Sequence, residues 1–473
     1  MRLILAILFF GLDIIYCEQR VVCYFTNWAQ YRSGIGAFQP ENIDPFLCTH
    51  ILFSFAKVLN NKLEPYEWND DSTEWSRGLY ERTNELRKIN PNLKVMLAVG
   101  GWTMGTIPFI SIVSSDAKIQ SFVDSTVLYL KDRDFDGLDI VWEYPGYKTQ
   151  FTKLVKALKS RFLSENLLLS AATAATKITI DTSYDLHELS NHIDFLNIMT
   201  YDYHGSWDSK TGHNAPLYAR STDNGAKATF NADFTISYYI QMGFAPEMIN
   251  LGLPVYGRSF TLSNPDQNSV DSSVSGPGVA QTFTQEAGFL AYYEICSKHG
   301  TRVRDLESKV PYMYYNNQWI SYDDPESFKN KASYAKFKNL GGIMFWAVDL
   351  DDFSGSVCDQ GKYPLISSAK ANFFSSSPSI MILNNIKTTS KSTISKSAST
   401  TAANFENIVH SNEVICYNKD GYYPDVKFGC RRFYICSFSG TKYQRIDYIN
   451  CPIGTLFDKN LNVCNHQNLV KCG

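Results

Sequence analysis

Eight short runs of β-branched and aromatic residues recur along most of this chain, with longer helix-like stretches between them. Such runs predict strands, and strands that alternate with helices predict parallel pairing. The runs are Val21–Phe25, His50–Phe55, Val95–Val99, Gly137–Val141, Leu167–Ala172, Phe195–Met199, Leu251–Val255 and Gly342–Trp346. Eight repeats predict an α/β fold, a closed (β/α)₈ TIM barrel over residues 18–374, with its chemistry at the carboxyl ends of the strands.

The gap between the seventh and eighth runs is too long for one helix. It contains strand-like pieces of its own, Val310–Tyr315 and Trp319–Tyr322. We therefore expect an inserted α+β subdomain at about residues 258–338.

The composition changes after the barrel. Residues 375–412 include the polar tract Thr388–Thr401, which cannot bury a core and predicts a Ser/Thr-rich linker. Residues 413–473 hold six cysteines, and so short a unit needs disulfides to fold. Paired C-x-x-C motifs are missing, which disfavours a zinc site, but spacing alone leaves fifteen disulfide connectivities open.

The amino terminus predicts secretion. Residues 1–17 combine a basic start with an apolar run that is too short to span a bilayer, as in a signal peptide. Asp13 is unusual in such a run, and a buried first strand is the alternative. Removal of Cys17 would reduce eleven cysteines to ten, an even number suited to an extracellular protein with disulfides.

Charge limits the classes of partner. The net charge of the 473 residues is −3, and no long basic run is present, so neither nucleic acid nor a membrane surface is favoured. We expect a monomer with a neutral partner, and neither a cofactor nor a metal ion.

The stretch Phe135–Pro145 carries the clearest chemical signal. Because side chains alternate along a strand, Asp139, Val141 and Glu143 share one face, while Trp142 faces away and is expected to be structural. Glu143 falls at the carboxyl end of the strand, where it suits a general acid. A rim glutamate in a salt bridge is the alternative.

Several long motifs, in order, resemble family 18 of the glycoside hydrolases, the chitinases and chitinase-like lectins of animals. The resemblance covers about residues 21–375. Besides Phe135–Pro145, its motifs are Cys23–Trp28, Gly100–Trp102, Met199–Trp207, Tyr256–Phe260 and Trp346–Asp349.

The resemblance implies substrate-assisted, retaining cleavage of β-1,4 N-acetylglucosamine polymers, an exception to the scheme with two carboxylates. It assigns catalytic roles to Glu143 as the acid, Asp139, Tyr201 and Asp202. It also implies sugar contacts through Tyr24, Phe55, Trp102, Tyr144, Met199, Trp207, Tyr256, Arg258, Glu294 and Trp346. The implied disulfides of the barrel are Cys23 with Cys48 and Cys296 with Cys358.

Val141 departs from the family pattern, in which an Asp usually stands at this position. That Asp accepts the acetamido N–H and helps to raise the pKa of the acid. Asp139 cannot replace it, because four residues of extended strand place it about 13 Å from Glu143 at ~3.3 Å per residue. Thr103 and Thr173-Ala174 are lesser departures that affect local sugar contacts.

The cysteine-rich segment resembles the peritrophin-A type of chitin-binding domain, with Phe433 and Tyr434 as its candidate chitin contacts. The resemblance implies disulfides that pair Cys416 with Cys436, Cys430 with Cys472 and Cys451 with Cys464.

Three functions stay open for the whole chain. The first is a secreted endo-acting chitinase with reduced turnover, and the second is a non-catalytic lectin that binds chitin and N-acetylglucosamine oligomers. The third is a structural cuticle protein.

Overall fold

The structure is a computed structural model that describes residues 19–375, 421–424, 430–437, 445–451, 455–459 and 463–466. The predicted signal peptide and nearly all of the predicted linker lie outside these residues, as do Cys416 and Cys472. Contacts divide the chain into two compact units, Met1–Asn384 and Asn385–Gly473.

A closed ring of parallel strands confirms the predicted barrel. The first eight strands are β1 (Arg20–Thr26), β2 (His50–Leu59), β3 (Lys62–Pro65), β4 (Lys94–Gly100), β5 (Gly137–Val141), β6 (Leu168–Thr173), β7 (Phe195–Ile198) and β8 (Ile249–Pro254). A later strand, Gly342–Trp346, joins β8 to β1, and β1 pairs with β2 to close the ring. Strand β3 is an antiparallel extension beside β2.

Helices surround the barrel, except α8 (Tyr292–Cys296), which lies within the insertion that precedes the last barrel strand. The others are α1 (Leu79–Asn84), α2 (Ile107–Ile112), α3 (Asp116–Asp132), α4 (Lys148–Leu163), α5 (Lys177–Ser183), α6 (Leu186–Ser190), α7 (Ala232–Gln241), α9 (Pro325–Phe337) and α10 (Pro364–Phe374). Helix α3 shows why they form here. The Ser115 side chain caps its first turn by accepting from the Lys118 N–H, and Ile119, Phe122 and Val123 begin the stripe that it buries against the barrel.

The insertion forms a six-stranded antiparallel sheet. Its strands are β9 (Tyr256–Leu262), β10 (Val274–Pro277), β11 (Phe289–Ala291), β12 (Thr301–Asp305), β13 (Val310–Tyr315) and β14 (Gln318–Ser321), and the barrel strand that follows is β15 (Gly342–Trp346). The sheet starts at Tyr256, slightly before the predicted boundary. Helix α9 falls within the predicted insertion but packs on α10 and β15, so it belongs to the barrel.

Two disulfides fix loops of the barrel unit. Cys23 on β1 is bonded to Cys48, with 6.1 Å between their Cα atoms, and Cys296 on α8 is bonded to Cys358, with 5.4 Å between theirs. These are the two pairs that the family resemblance implies.

The second unit contains two small antiparallel sheets. Strands β16 (Gly421–Pro424), β17 (Arg432–Ser437) and β18 (Arg445–Asn450) form one, and β19 (Thr455–Asp458) and β20 (Val463–His466) form the other. Strand β17 carries Phe433 and Tyr434, paired in register with Pro424 and Tyr423. Cys430 and Cys451 each take part in a disulfide, and the pairing of the six cysteines stays a prediction.

Within the parts of the chain that the structure describes, no helix combines the length and apolar character needed to cross a membrane.

Candidate active site

Close contacts between neighbouring strands fix the position of the strand that carries the acid. Gly100 has a φ of +117°, and a Cβ there would lie 2.1 Å from the carbonyl oxygen of Val141. The N–H of Gly101 donates to that same oxygen at 2.8 Å. Strand β4 can therefore approach β5 closely at the rim only because Gly100 has no side chain.

Asp139 is fully buried in the barrel, and three donors hold its carboxylate. It accepts from Ser170 Oγ at 2.6 Å, Tyr24 Oη at 2.7 Å and Asn197 Nδ2 at 3.2 Å. Burial raises the pKa of Asp139 to about 6, and these hydrogen bonds limit the rise. The network continues from Asn197 to Asn250 at 2.9 Å, inside the barrel and away from Glu143.

Val141 separates Asp139 from Glu143 along the strand, and it is 3% exposed. Its side chain can neither accept a hydrogen bond nor carry charge. The face of the strand therefore presents a buried carboxylate, then an apolar residue, then the rim carboxyl group.

Glu143 is a largely buried carboxyl group with a second carboxylate, Asp202, close enough to act on its pKa. Burial, followed by the negative charge of Asp202, raises the pKa of Glu143 to about 7. Hydrogen bonds from the Trp102 backbone and from Tyr144 oppose the rise. No cation acts on this pKa among the described residues, so the structure does not support the alternative of a rim salt bridge. A carboxyl group with a pKa near 7 is still partly protonated at neutral pH and can donate its proton.

Asp202 takes part in a second charged cluster beside the acid. It has a left-handed backbone, with φ at +57°, which turns the chain just after β7. Arg258 on β9 binds both of its oxygens, from Nε at 2.7 Å and from Nη2 at 2.8 Å, and Tyr256 Oη donates to it at 2.8 Å. The Arg258 guanidinium lies 5.1 Å from the ring centre of Trp207.

Tyr201 is a buried tyrosine close enough to Asp202 and Glu143 for both to act on its pKa. Its hydroxyl is 3.9 Å from Met344 Sδ, and the residue is 7% exposed. Burial, Asp202 and Glu143 raise the pKa of Tyr201 well above its usual value, so the hydroxyl stays protonated and can act as a donor.

Three stacked aromatic rings form a surface that we call the aromatic floor, consisting of Trp28, Phe55 and Trp346. The ring centres of Phe55 and Trp346 are 5.8 Å apart, and those of Trp28 and Phe55 are 6.0 Å apart. Trp28 is 38% exposed, and the sequence analysis did not assign it a sugar contact. Trp28 follows β1 and lies in the first family motif, Cys23–Trp28, and this position was the sequence signal that could have identified it as a candidate sugar contact.

The predicted sugar platforms divide by exposure. Trp102 and Trp207 are open to solvent, at 74% and 58% exposed, as a stacking platform requires. Tyr24 and Tyr256 are only 1% and 2% exposed. Their rings are covered and their hydroxyls donate to Asp139 and Asp202, so neither ring offers an open face, and their sugar contacts stay a prediction.

Glu294 also departs from its predicted role as a sugar partner. It is 5% exposed, and its oxygens accept from the backbone of Phe283, Thr284 and Ala291 and from the Thr284 hydroxyl. It therefore caps α8 and orders the preceding loop.

The remaining predicted contacts have simple placements. Met199 is half-buried, packs on the core and donates its N–H to the Thr173 carbonyl. Thr103 is exposed at the rim, whereas Ala174 is buried at the end of β6. Trp142 faces away as predicted, stacked on Phe109 with 4.9 Å between ring centres.

No group of three or more His, Cys, Asp or Glu residues within the described ranges is arranged to hold a metal ion.

Comparisons with known proteins agree with this geometry. Residues 20–351 match the family described as glycosyl hydrolases family 18, and residues 416–472 match the chitin binding Peritrophin-A domain. Chitotriosidase-1 of Mus musculus is 44% identical over 362 residues, which cover 73% of this chain and 76% of the mouse protein. The endochitinase of Brugia malayi is 35% identical over 482 residues, which cover 94% of this chain and 93% of the Brugia malayi protein.

A solved structure gives a further comparison. Human YKL-39, described as "a pseudo-chitinase with retained chitooligosaccharide binding properties", matches with a TM-score of 0.73 and 40% identity. The match covers 76% of this chain and all of the human chain (100%). Taken together, the closed barrel, the acid at the end of β5 and these matches show that the chain belongs to glycosyl hydrolases family 18 and carries a C-terminal peritrophin-A chitin-binding domain.

Proposed function

We propose that this protein is a secreted, chitin-binding glycoside hydrolase whose hydrolysis is slow because Val141 stands where the family usually has an acid. The observation that carries the proposal is the contrast on β5. Glu143 has a pKa of about 7, as an acid catalyst needs, while the neighbouring position on the same face offers only an apolar side chain.

The proposed reaction follows from the groups that remain. Glu143 protonates the glycosidic oxygen, and the glycosidic C–O bond breaks as the acetamido oxygen of the sugar attacks the anomeric carbon to form an oxazolinium ion. The Glu143 carboxylate then takes a proton from the water that attacks the anomeric carbon, which opens the ion with overall retention and restores the acid. The protonated Tyr201 hydroxyl donates to the acetamido oxygen. Asp202, held by Arg258, lines the scissile site and keeps the Glu143 proton in place by its charge.

The step that is slowed is the formation of the oxazolinium ion. The acetamido N–H meets Val141 and finds no acceptor, and no carboxylate at that position offsets the developing positive charge. Loss of one such preorganised electrostatic partner commonly lowers the rate by about 10² to 10³, or roughly 3 to 4 kcal/mol.

The aromatic floor supports sugar binding that does not depend on turnover. Its rings are stacked, with Phe55 buried and Trp28 and Trp346 partly exposed, and pyranose faces pack on exposed aromatic rings. A non-catalytic lectin is therefore the second candidate, and YKL-39, a described pseudo-chitinase that keeps its binding, is a precedent among the relatives.

One experiment separates the two candidates. Release of reducing ends from an N-acetylglucosamine oligomer is compared between the parent and Glu143→Gln, with oligomer affinity measured on both. We expect slow release by the parent, release by the variant indistinguishable from buffer, and similar affinities. Equal release by both proteins would leave the lectin, and a parent that binds no soluble oligomer would favour a structural cuticle protein.

We also propose that the protein acts outside the cell as a monomer. The barrel disulfides Cys23–Cys48 and Cys296–Cys358 support an oxidising compartment. Amino-terminal sequencing of protein from the medium should find the chain beginning near Glu18, and light scattering should give the mass of one chain. An intracellular protein that begins at Met1 would contradict the proposal.

A further inference from the structure

Asn214 is a buried polar residue, 1% exposed, that binds the turn carrying Asp202. Its side-chain Oδ1 accepts the Asp202 N–H at 3.0 Å, and its carbonyl oxygen accepts the Tyr203 N–H at 3.1 Å. Two consecutive backbone groups of the turn are therefore held by one residue that follows later in the chain.

The same residue is bound to the insertion. The Asn214 N–H donates to Ser321 Oγ at 2.8 Å, and its Nδ2 donates to the Tyr256 carbonyl at 3.4 Å. Ser321 on β14 is the register partner of Arg258 on β9. Asn214 thus joins the turn to the pair of strands that supplies Tyr256 and Arg258, the two side chains bound to the Asp202 carboxylate.

The backbone of Asp202 needs such support. Its φ of +57° lies in the left-handed region, which is disfavoured for a residue with a Cβ and persists only where the surroundings hold it. An acceptor at a fixed position for the Asp202 N–H opposes the return of this residue to the ordinary regions of φ and ψ. Such a return would swing the carboxylate to a new position.

The position of the Asp202 carboxylate matters because its charge acts on Glu143. The titratable side chains that interact with Glu143 are Asp202, Tyr144, Tyr184 and Tyr201. Burial raises the pKa of all three tyrosines above the usual value, so their hydroxyls are uncharged at neutral pH. Asp202 is therefore the charged member of this group, and its displacement would weaken the hold of Glu143 on its proton.

A neighbouring residue shows what a purely structural tie looks like. Thr211 is 2% exposed and lies on the same segment as Asn214. Its Oγ1 donates to the Ser269 carbonyl at 2.8 Å and accepts the Ser272 N–H at 3.0 Å. Thr211 thus fastens the segment to the insertion at residues 269–272, whereas Asn214 fastens it at the Asp202 turn.

We propose that Asn214 is a positioning residue, which fixes the turn at Asp202 against the insertion and so keeps the Asp202 carboxylate close to Glu143. The catalytic meaning of this inference rests on the proposed function, in which Glu143 is the acid. The insertion then takes part in the chemistry, because it supplies the frame to which the turn is fixed.

The test follows the titration of the Glu143 carboxyl group in the full chain by NMR with ¹³C-labelled glutamate, and its signal is assigned from its loss in Glu143→Gln. Asn214→Ala removes the acceptor for the Asp202 N–H. Asn214→Asp keeps an oxygen acceptor there and adds a charge. Asn214→Ser, whose hydroxyl is too short to reach this N–H, replaces alanine if that variant does not fold, and Thr211→Val is the matched control.

We expect Asn214→Ala to lower the pKa of Glu143 from about 7 by about 0.5 to 1, because the Asp202 carboxylate moves away. The pKa should match the parent in Thr211→Val and stay at or above it in Asn214→Asp, and the high-pH limb of oligomer hydrolysis should shift with the pKa. A folded Asn214→Ala protein with the pKa of the parent would overturn the inference, and so would an equal fall in Thr211→Val. A parent that titrates as expected but hydrolyses no oligomer would instead overturn the proposed function.

Discussion

The Asp202 side and the Asp139 side of Glu143 differ in how their charged groups are arranged. On the side of Asp202, each charged group has a partner that tunes it: Arg258 binds both oxygens of Asp202, and Asp202 raises the pKa of Glu143. On the side of Asp139, the carboxylate is held inside the barrel, and Val141 interrupts the path to the acid. The difference teaches that burial and Asp202 suffice to raise the pKa of Glu143 without a carboxylate at position 141.

The largest effect should come from Val141→Asp, which also places a carboxylate next to Glu143 on its Asp139 side. The new carboxylate would accept the acetamido N–H and offset the oxazolinium charge, so hydrolysis should rise by about 10² to 10³. Its charge should also raise the pKa of Glu143 further and extend activity to higher pH. Rates of oligomer hydrolysis across pH measure both effects.

This variant needs a stability control, because a second buried carboxylate must be hydrogen-bonded or share a proton with Asp139. Unfolding is therefore followed beside the rate. A folded Val141→Asp protein no faster than the parent would place the defect elsewhere, with Thr103 and Thr173-Ala174 as the next residues to examine.

Glu143→Gln should change stability in a way that depends on pH. The pKa of Glu143 is raised from 4.5 to about 7, so ionisation costs the folded state free energy as pH rises through this window. Glutamine cannot ionise. The free energy of unfolding of the variant should therefore exceed that of the parent by about 1 to 3 kcal/mol above pH 7, with no such gain below pH 4.5. Denaturant unfolding at both extremes measures the difference, and Glu74→Gln on the exposed loop between β3 and α1 is the matched control. A gain independent of pH would contradict the assignment.

Arg258→Ala should weaken oligomer binding, because it removes the partner of Asp202. Asp202 would keep a charge without its bidentate partner, and oligomer affinity should fall by about 1 to 2 kcal/mol, a value reduced because the pair is partly solvated. Arg258→Lys keeps the charge but loses the planar fork, so it should recover only part of the affinity. Calorimetric titration with the same oligomer compares the three proteins, and a full recovery by lysine would show that geometry is unimportant.

The smallest effect on the cleft should come from removing residues 412–473. Without the chitin-binding domain, retention on chitin beads should fall about tenfold or more, since two linked sites on one polymer bind with avidity. The affinity for a soluble oligomer should stay the same. Unchanged bead retention would show that the barrel alone anchors the protein.

The fold could be predicted from sequence because strand composition and alternation are local signals. The runs around Val21 and Gly342 coincide with strands of the closed barrel, and the face assigned to Trp142 follows from alternation along β5. Exposure could not be predicted in the same way. Tyr24 lies within β1 and Trp28 lies two residues after its end, yet Tyr24 is buried and Trp28 is 38% exposed, a difference that depends on neighbours distant in sequence.

The cause of the raised pKa of Glu143 also could not be predicted from the sequence. Family resemblance ties the raised pKa of the acid partly to a carboxylate at position 141, but burial and Asp202 raise the pKa of Glu143 without it. Likewise, Glu294 is an acidic residue near the cleft by sequence, and only the folded loop shows that backbone donors already occupy its oxygens.

The central claim is that Glu143 is intact and that Val141 is the defect, and a double variant tests it most directly. Hydrolysis of one oligomer is measured for the parent, Val141→Asp, Glu143→Gln and the combination of both changes, each shown to be folded and to bind the oligomer. We predict that the gain from Val141→Asp disappears completely in the Glu143→Gln background, since the restored carboxylate can act only when the acid protonates the leaving group. A gain that persists without Glu143, or no gain in either background, would contradict the account.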